Sequence, residues 1–201
     1  MKAPQVVFRL CLFPILFSQL SPSVLGQAGP SQEWVYRGEI FGSLGWEGFY
    51  HGKHHEFTGL DLGGGISFRP FKGALSGLGL ETRFSYLDSS SQEYGDIKRL
   101  TGDLLYHFGQ AKVQPFVLGG LGKLWGRRTV TVLYGSGPDD YREEYYEDYL
   151  DKFGIEFGVG LKIALTRHLV IRPEFRCFDT TPGSGYNLSL PQLSVAAGYW
   201  W

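Results

Sequence analysis

The last ten residues alternate. Leu193, Val195, Ala197, Tyr199 and Trp201 are interleaved with Gln192, Ser194, Ala196, Gly198 and Trp200. Successive side chains of a strand point to opposite faces, so this period of two predicts a strand with one oily face. Seven similar segments precede it. Tyr36, Ile40, Leu44 and Trp46 stand against Arg37, Glu39, Ser43 and Glu47; Leu60, Leu62, Ile66 and Phe68 stand against Asp61, Ser67 and Arg69. Leu78, Leu80, Phe84 and Tyr86 oppose Glu81, Arg83 and Ser85, and Leu100, Leu104, Tyr106 and Phe108 oppose Thr101, Asp103 and His107. The fifth segment sets Phe116, Leu118 and Leu124 against Val117, Gly119 and Lys123, with Leu121 on the polar side. In the sixth, Phe153, Ile155, Phe157, Val159, Leu161, Ile163 and Leu165 oppose Glu156, Gly158, Gly160 and Lys162; in the seventh, Leu169, Ile171 and Phe175 oppose Arg172, Glu174 and Arg176.

Each segment thus has an apolar face and a polar, often charged one. Runs of about 9–11 residues suit a tilted strand crossing a bilayer. In lipid an open sheet edge would leave N–H and C=O groups unpaired, so the sheet must close. The pattern predicts an all-β chain: an eight-stranded antiparallel up-and-down transmembrane β-barrel. Short connections (69–76, 109–112, 166–168) alternate with long ones (48–56, 88–96, 126–152, 179–189). Membrane barrels put short turns in the periplasm and long loops outside, which predicts both barrel ends of the chain on the periplasmic side. Pro115 and Pro173 fall near strand starts or inside strands, where each removes a ladder donor.

The first 28 residues predict a different fate. Lys2 and Arg9 supply positive charge, and Val6 to Phe17 is largely apolar but too short to span a membrane. Small residues at Gly26 and Ala28 suit cleavage, so residues 1–28 read as a secretory signal peptide and 29–201 as the barrel domain. Removal of Cys11 leaves Cys177 alone, which excludes an intrachain disulfide. A net charge of -1 implies no nucleic-acid partner. With 29 glycines and 16% aromatics, composition favours curved, crowded strands. Trp46, Tyr86, Phe108, Trp125, Tyr199 and Trp201 lie near strand ends, where aromatic girdles meet the membrane surface.

Three stretches carry a resemblance: the Gly-rich strand Pro115-Phe116-Val117-Leu118-Gly119-Gly120-Leu121-Gly122, the strand Phe157-Gly158-Val159-Gly160-Leu161, and the closing Ala197-Gly198-Tyr199-Trp200-Trp201. Over about residues 33–201 the chain resembles the small OmpA/OmpX-like outer-membrane β-barrels. The resemblance implies a bacterial outer-membrane location amid lipid and lipopolysaccharide. It also implies that Val195, Ala197, Tyr199 and Trp201 form a signal read by the barrel-assembly machinery, with Trp201 where Phe is more usual. No peptidoglycan-binding domain is expected after Trp201.

The inward set comprises acids at Glu39, Glu47, Asp61, Glu81, Asp103, Glu156 and Glu174 and bases at Arg37, Arg69, Arg83, Lys123, Lys162, Arg172 and Arg176, with His107 beside them. An eight-stranded barrel is only wide enough for side chains to fill, and buried charges must pair. The set therefore reads as a polar plug, with a narrow proton or ion path as the alternative. His51, His54 and His55 with Glu56 could bind Zn or Cu, but without a fuller ligand set they read as a surface loop, and no metal or cofactor is expected. Between 126 and 152, Tyr134, Tyr141, Tyr145, Tyr146 and Tyr149 interleave with seven acids, and Thr129 to Leu133 reads as strand continuing past the bilayer. The tip could bind an extracellular partner, gather divalent cations near lipopolysaccharide, or remain a solvated loop. His107 and Asp103 share a strand face but no His-x-Ser-Asn signature accompanies them, so an enzyme is not expected. Two alternatives stay open: a lipid A-modifying enzyme of the same fold, and a soluble lipocalin-like carrier with its oily face inward.

Overall fold

The computed structural model describes residues 37–51, 54–71, 75–89, 94–109, 111–134, 142–180 and 188–201. Eight antiparallel strands form there: β1 (Gly38–His51), β2 (His54–Phe68), β3 (Leu78–Ser89), β4 (Tyr94–His107), β5 (Val113–Tyr134), β6 (Arg142–Ala164), β7 (Leu169–Thr180) and β8 (Leu188–Trp200). Each pairs with its neighbours in chain order, and β8 pairs with β1 to close the barrel. The seam is continuous from Glu39↔Trp200 to Glu47↔Gln192. No helix among the described residues is long and apolar enough to cross a membrane. The expected signal peptide lies outside the described residues.

Side-chain parity separates outside from inside. Leu44, Leu62 and Leu104 are 50–51% exposed, while Arg83 and Glu156 are 1% and 2% exposed. Apolar residues therefore coat the outer wall and charges fill the interior, the reverse of a lipocalin. A soluble protein rarely shows contiguous apolar surface on this scale, so the band needs lipid around it.

The structure departs from the sequence reading in three places. On β5 the parity is opposite: Phe116, Leu118 and Leu124 are buried at 1%, 6% and 0%, while Val117 and Leu121 face out at 40% and 70%. This strand is apolar on both faces, and its glycines at 119, 120 and 122 supply no polar contrast, so pairing with β4 and β6 decides its orientation. Lys123 consequently points outward, half exposed, and pairs with Asp151 at 3.2 Å. Arg37 is exposed as well, because it precedes the first ladder pair, Gly38↔Phe68, at the rim of the barrel. Finally, strands extend into each of the long connections. Both arms of the 126–152 segment are extended and paired from Trp125↔Asp151 up to Tyr134↔Arg142.

Pro115 and Pro173 sit inside β5 and β7. The β6–β7 register runs Gly160↔Glu174 and resumes at Ile163↔Ile171. Pro173 occupies that gap, where it has no N–H to offer the ladder.

Candidate functional site

The lumen is the densest assembly of polar side chains among the described residues. Seven carboxylates (Glu39, Glu47, Asp61, Glu81, Asp103, Glu156 and Glu174) and six cations (Arg69, Arg83, Arg99, Lys162, Arg172 and Arg176) are buried there. Arg99 is the residue that sequence reasoning misses, and it replaces Arg37 and Lys123 in the expected set. It shares the odd parity of Thr101 and Asp103, which could have found it. Of its two outward neighbours, however, Lys98 is charged and only Leu100 is oily, so the alternation is weaker at that point.

The pairs form a connected ladder along the axis. At the lower end Lys162 contacts Glu39 at 2.5 Å and Ser67 at 3.4 Å, and Glu39 also accepts from Arg172 at 3.3 Å. Arg69 donates to Gln114 at 2.8 Å, and His107 Nδ1 lies 3.1 Å from the Gly77 carbonyl. The Arg172 guanidinium lies over the rings of Phe41, at 4.3 Å, and Phe116, at 5.2 Å. Its charge is thus held between two aromatic faces as well as by carboxylates.

Arg172 and Arg176 link the middle. Arg172 reaches Glu81 at 3.0 Å and Glu174 at 3.1 Å. Arg176 meets Glu81 at 2.5 Å, Asp103 at 3.3 Å, and Glu156 and Glu174 each at 3.1 Å. Arg83 pairs with Glu174, with Asp61 at 3.3 Å, and with Ser43 at 3.0 Å. Above them Arg99 binds Glu47 through two nitrogens at 2.8 and 3.0 Å and donates to Gln192 at 3.2 Å, and Gln192 donates to Asp61. Planar guanidinium forks suit this crowding because each serves several carboxylates at fixed angles.

Apolar side chains close both ends of this ladder. Leu87, Ile97, Leu124, Leu150, Phe178, Leu188 and Leu190 make one cluster above Arg99, and the Arg99 guanidinium lies 5.5 Å from the Phe178 ring. Below, Trp200 packs with Ala164 and Val170, and Leu105 packs with Phe116 and Leu118. The sequence pattern alone puts two of these upper residues, Leu150 and Leu188, in long connections. Outside the lipid the parity of each strand persists but its polarity inverts: Asp88, Asp96 and Asp151 face water, while Leu87, Ile97 and Leu150 face in.

The outer wall carries the aromatics singled out in the sequence. Trp46, Tyr86 and Trp125 lie toward the end with the long hairpin, and Phe108, Tyr199 and Trp201 toward the other. Tyr106 packs edge-on to Phe108 at 5.1 Å, and His168 stacks on Tyr199 at 5.3 Å. On β8, Val195 and Ala197 face out with Tyr199. Among the described residues no group of His, Cys, Asp and Glu is arranged to hold a metal. The backbone at His51, His54 and His55 is strand, with His51↔His54 closing the β1–β2 ladder.

Comparison with known proteins agrees with this architecture. No curated protein matches the chain. Among solved structures, Neisserial surface protein A is similar at 12% identity over 82% of this chain and 97% of its own, with a TM-score of 0.61. A major outer membrane protein from Thermus thermophilus is similar at 13% identity over 81% of this chain and 99% of its own, TM-score 0.51. The attachment invasion locus protein of Yersinia pestis, solved with the heparin analogue sucrose octasulfate, is similar at 14% identity, 82% and 99% coverage and TM-score 0.50. The family model for the outer membrane protein beta-barrel domain matches residues 20–199. With that match across nearly the whole closed barrel, the chain belongs to the outer membrane β-barrel family and is an outer-membrane protein.

Proposed function

We propose that this protein is a non-conducting outer-membrane barrel whose plugged lumen is structural and whose work is done at the surface of its hairpin end. One observation carries the reading: a continuous ladder of buried ion pairs lies between two apolar caps. An ion path needs a hydrated wall from mouth to mouth, whereas an eight-stranded interior is filled by side chains. The engagement of His107 with Gly77 and of Asp103 with Arg176 favours a packing role for both over an enzymatic one.

The surface role rests on the β5–β6 arms. Among the described residues β4 reaches β5 no further than Tyr94↔Arg128, and β7 reaches β6 no further than Gly154↔Thr180. Above those pairs the two arms continue together as a ribbon to Tyr134↔Arg142. This ribbon is the surface for an extracellular partner at 126–152. In this reading it faces outside, both barrel ends of the chain face the periplasm, lipopolysaccharide surrounds the outer wall, and the barrel-assembly machinery reads Val195, Ala197, Tyr199 and Trp201.

Planar-bilayer recording of the refolded protein tests the plug: a flat trace is expected, and stepwise conductance at neutral pH overturns it. Trypsin added to intact cells tests orientation. Cleavage at Arg142, at the far end of the ribbon, is expected, and protection there together with cleavage at Arg167 in the β6–β7 turn inverts the topology.

A further inference from the structure

The outer wall of β3–β6 changes character over two rows. In the lower row Phe84, Leu100 and Phe153 are exposed apolar side chains at 44%, 45% and 66%, and Lys123, between Leu100 and Phe153, turns its ammonium to Asp151 in the row above. In the next row the ladder pairs place Tyr86 beside Lys98, Lys98 beside Trp125, and Trp125 beside Asp151. Two residues above Trp125, on the same face of β5, stands Arg127, paired in register with Tyr149. Asp96, Lys98, Trp125, Arg127, Tyr149 and Asp151 line a cleft of about 500 Å³. These residues straddle the line where the wall passes from lipid to water.

The charges in this cleft are not equally committed. Asp151 is held by Lys123 at 3.2 Å, and Asp96 lies close to the Tyr86 hydroxyl. Lys98 and Arg127 are exposed, and neither makes an ion pair with another described residue. Two cations beside an indole ring, directly above an apolar shelf, fit an amphiphile with anionic groups at the interface and hydrocarbon below it. Phosphate takes the ammonium and guanidinium, a sugar ring packs on Trp125, and acyl chains lie along Phe84, Leu100 and Phe153.

We propose that this cleft is a specific site for the phosphorylated acyl-glycolipid of the outer leaflet, with Lys98 and Arg127 holding its phosphate. The proposal rests on the reading above that the hairpin end faces outward, and it converts a general lipid contact into one addressed site.

The test is native mass spectrometry of the refolded protein in detergent, titrated with lipid A, with dephosphorylated lipid A, and with lipid A in competition with inorganic phosphate. A retained lipid A adduct is expected. Binding should fall at least tenfold for Lys98→Gln/Arg127→Gln and for the dephosphorylated lipid, and Lys98→Arg/Arg127→Lys should restore it. Millimolar phosphate should displace little, because the acyl shelf contributes as well. Equal binding by the double Gln variant, or equal binding of dephosphorylated lipid, overturns the site. Full displacement by phosphate overturns the lipid as its occupant. Heat-modifiable gel migration shows that each variant is folded. Protease mapping on cells separates the two readings: inverted topology removes the outward-facing premise, whereas correct topology with charge-independent binding removes only this site.

Discussion

Arg176→Met perturbs the lumen at its most connected point. Methionine keeps most of the side-chain volume and removes the charge, so packing loss is small and the effect is electrostatic. The four carboxylates on Arg176 are affected unequally. Glu81 retains Arg172 at 3.0 Å, and Glu174 retains Arg172 at 3.1 Å as well as Arg83. Glu156 retains only Arg99, at 3.9 Å. Asp103 pairs with no other cation among the described residues and is 3% exposed. The substitution therefore strands one buried carboxylate and half-strands a second. Breaking a buried pair by removing one partner costs about 3–5 kcal/mol. Adding Asp103→Asn removes the stranded charge but keeps its shape and its contact with Thr101. The double variant should recover about 0.5–3 kcal/mol, the range of coupling energies between residues in one network. Urea unfolding in phospholipid vesicles, followed by tryptophan fluorescence and by the folded band on unboiled gels, measures each variant. A loss below about 1 kcal/mol for Arg176→Met, or strict additivity of Arg176→Met and Asp103→Asn, would refute the claim that these pairs hold the interior together.

Other positions give sharper contrasts. Leu104→Arg, on the outer wall at 51% exposure, should cost about 2–4 kcal/mol in vesicles, where a soluble barrel would tolerate it; the same unfolding assay decides. A Cβ at Gly120 would run into the Gly102 carbonyl and Asp103, whereas one at Gly102 meets nothing within 4 Å. Gly120→Ala should therefore lose about 1–3 kcal/mol, and Gly102→Ala should stay within about 0.5 kcal/mol of the parent. With purified assembly machinery in proteoliposomes, Trp201→Phe should fold at the parental rate and Trp201→Ala several times more slowly; equal rates for both would remove Trp201 from the recognition signal.

The wall is legible in the sequence because lipid on one side and carboxylates on the other enforce strict alternation. Glu39, Asp61, Arg83, Asp103 and Glu174 can each be placed from the oily residue beside them. The pattern weakens wherever that contrast fades. On β5, glycines and leucines on both faces leave no parity to read, and the alternation puts Lys123 on the wrong side. At Arg99 one outward neighbour is the charged Lys98 and only the other, Leu100, is oily, so the contrast is halved. Above the bilayer the alternation continues with its meaning reversed, and Leu150 and Leu188 fall in expected long connections until the closed wall shows them capping the interior with Leu87, Ile97 and Leu190. Which cation serves which acid is set by barrel tilt and shear. Arg83 meets Glu174, 91 positions away, and no spacing rule joins them.

The ion pairs also constrain the order of events in biogenesis. Glu39 on β1 contacts Lys162 on β6 and Arg172 on β7, and Glu47 on β1 holds Arg99 on β4, directly across the bore. Until the first and last strands meet, these partners are too far apart to neutralise one another. An unfinished sheet must therefore keep its future interior wet, and water is expelled only as the seam zips shut. Closure thus becomes a single late commitment, after which reopening the seam would leave Glu39 facing hydrocarbon without its lysine.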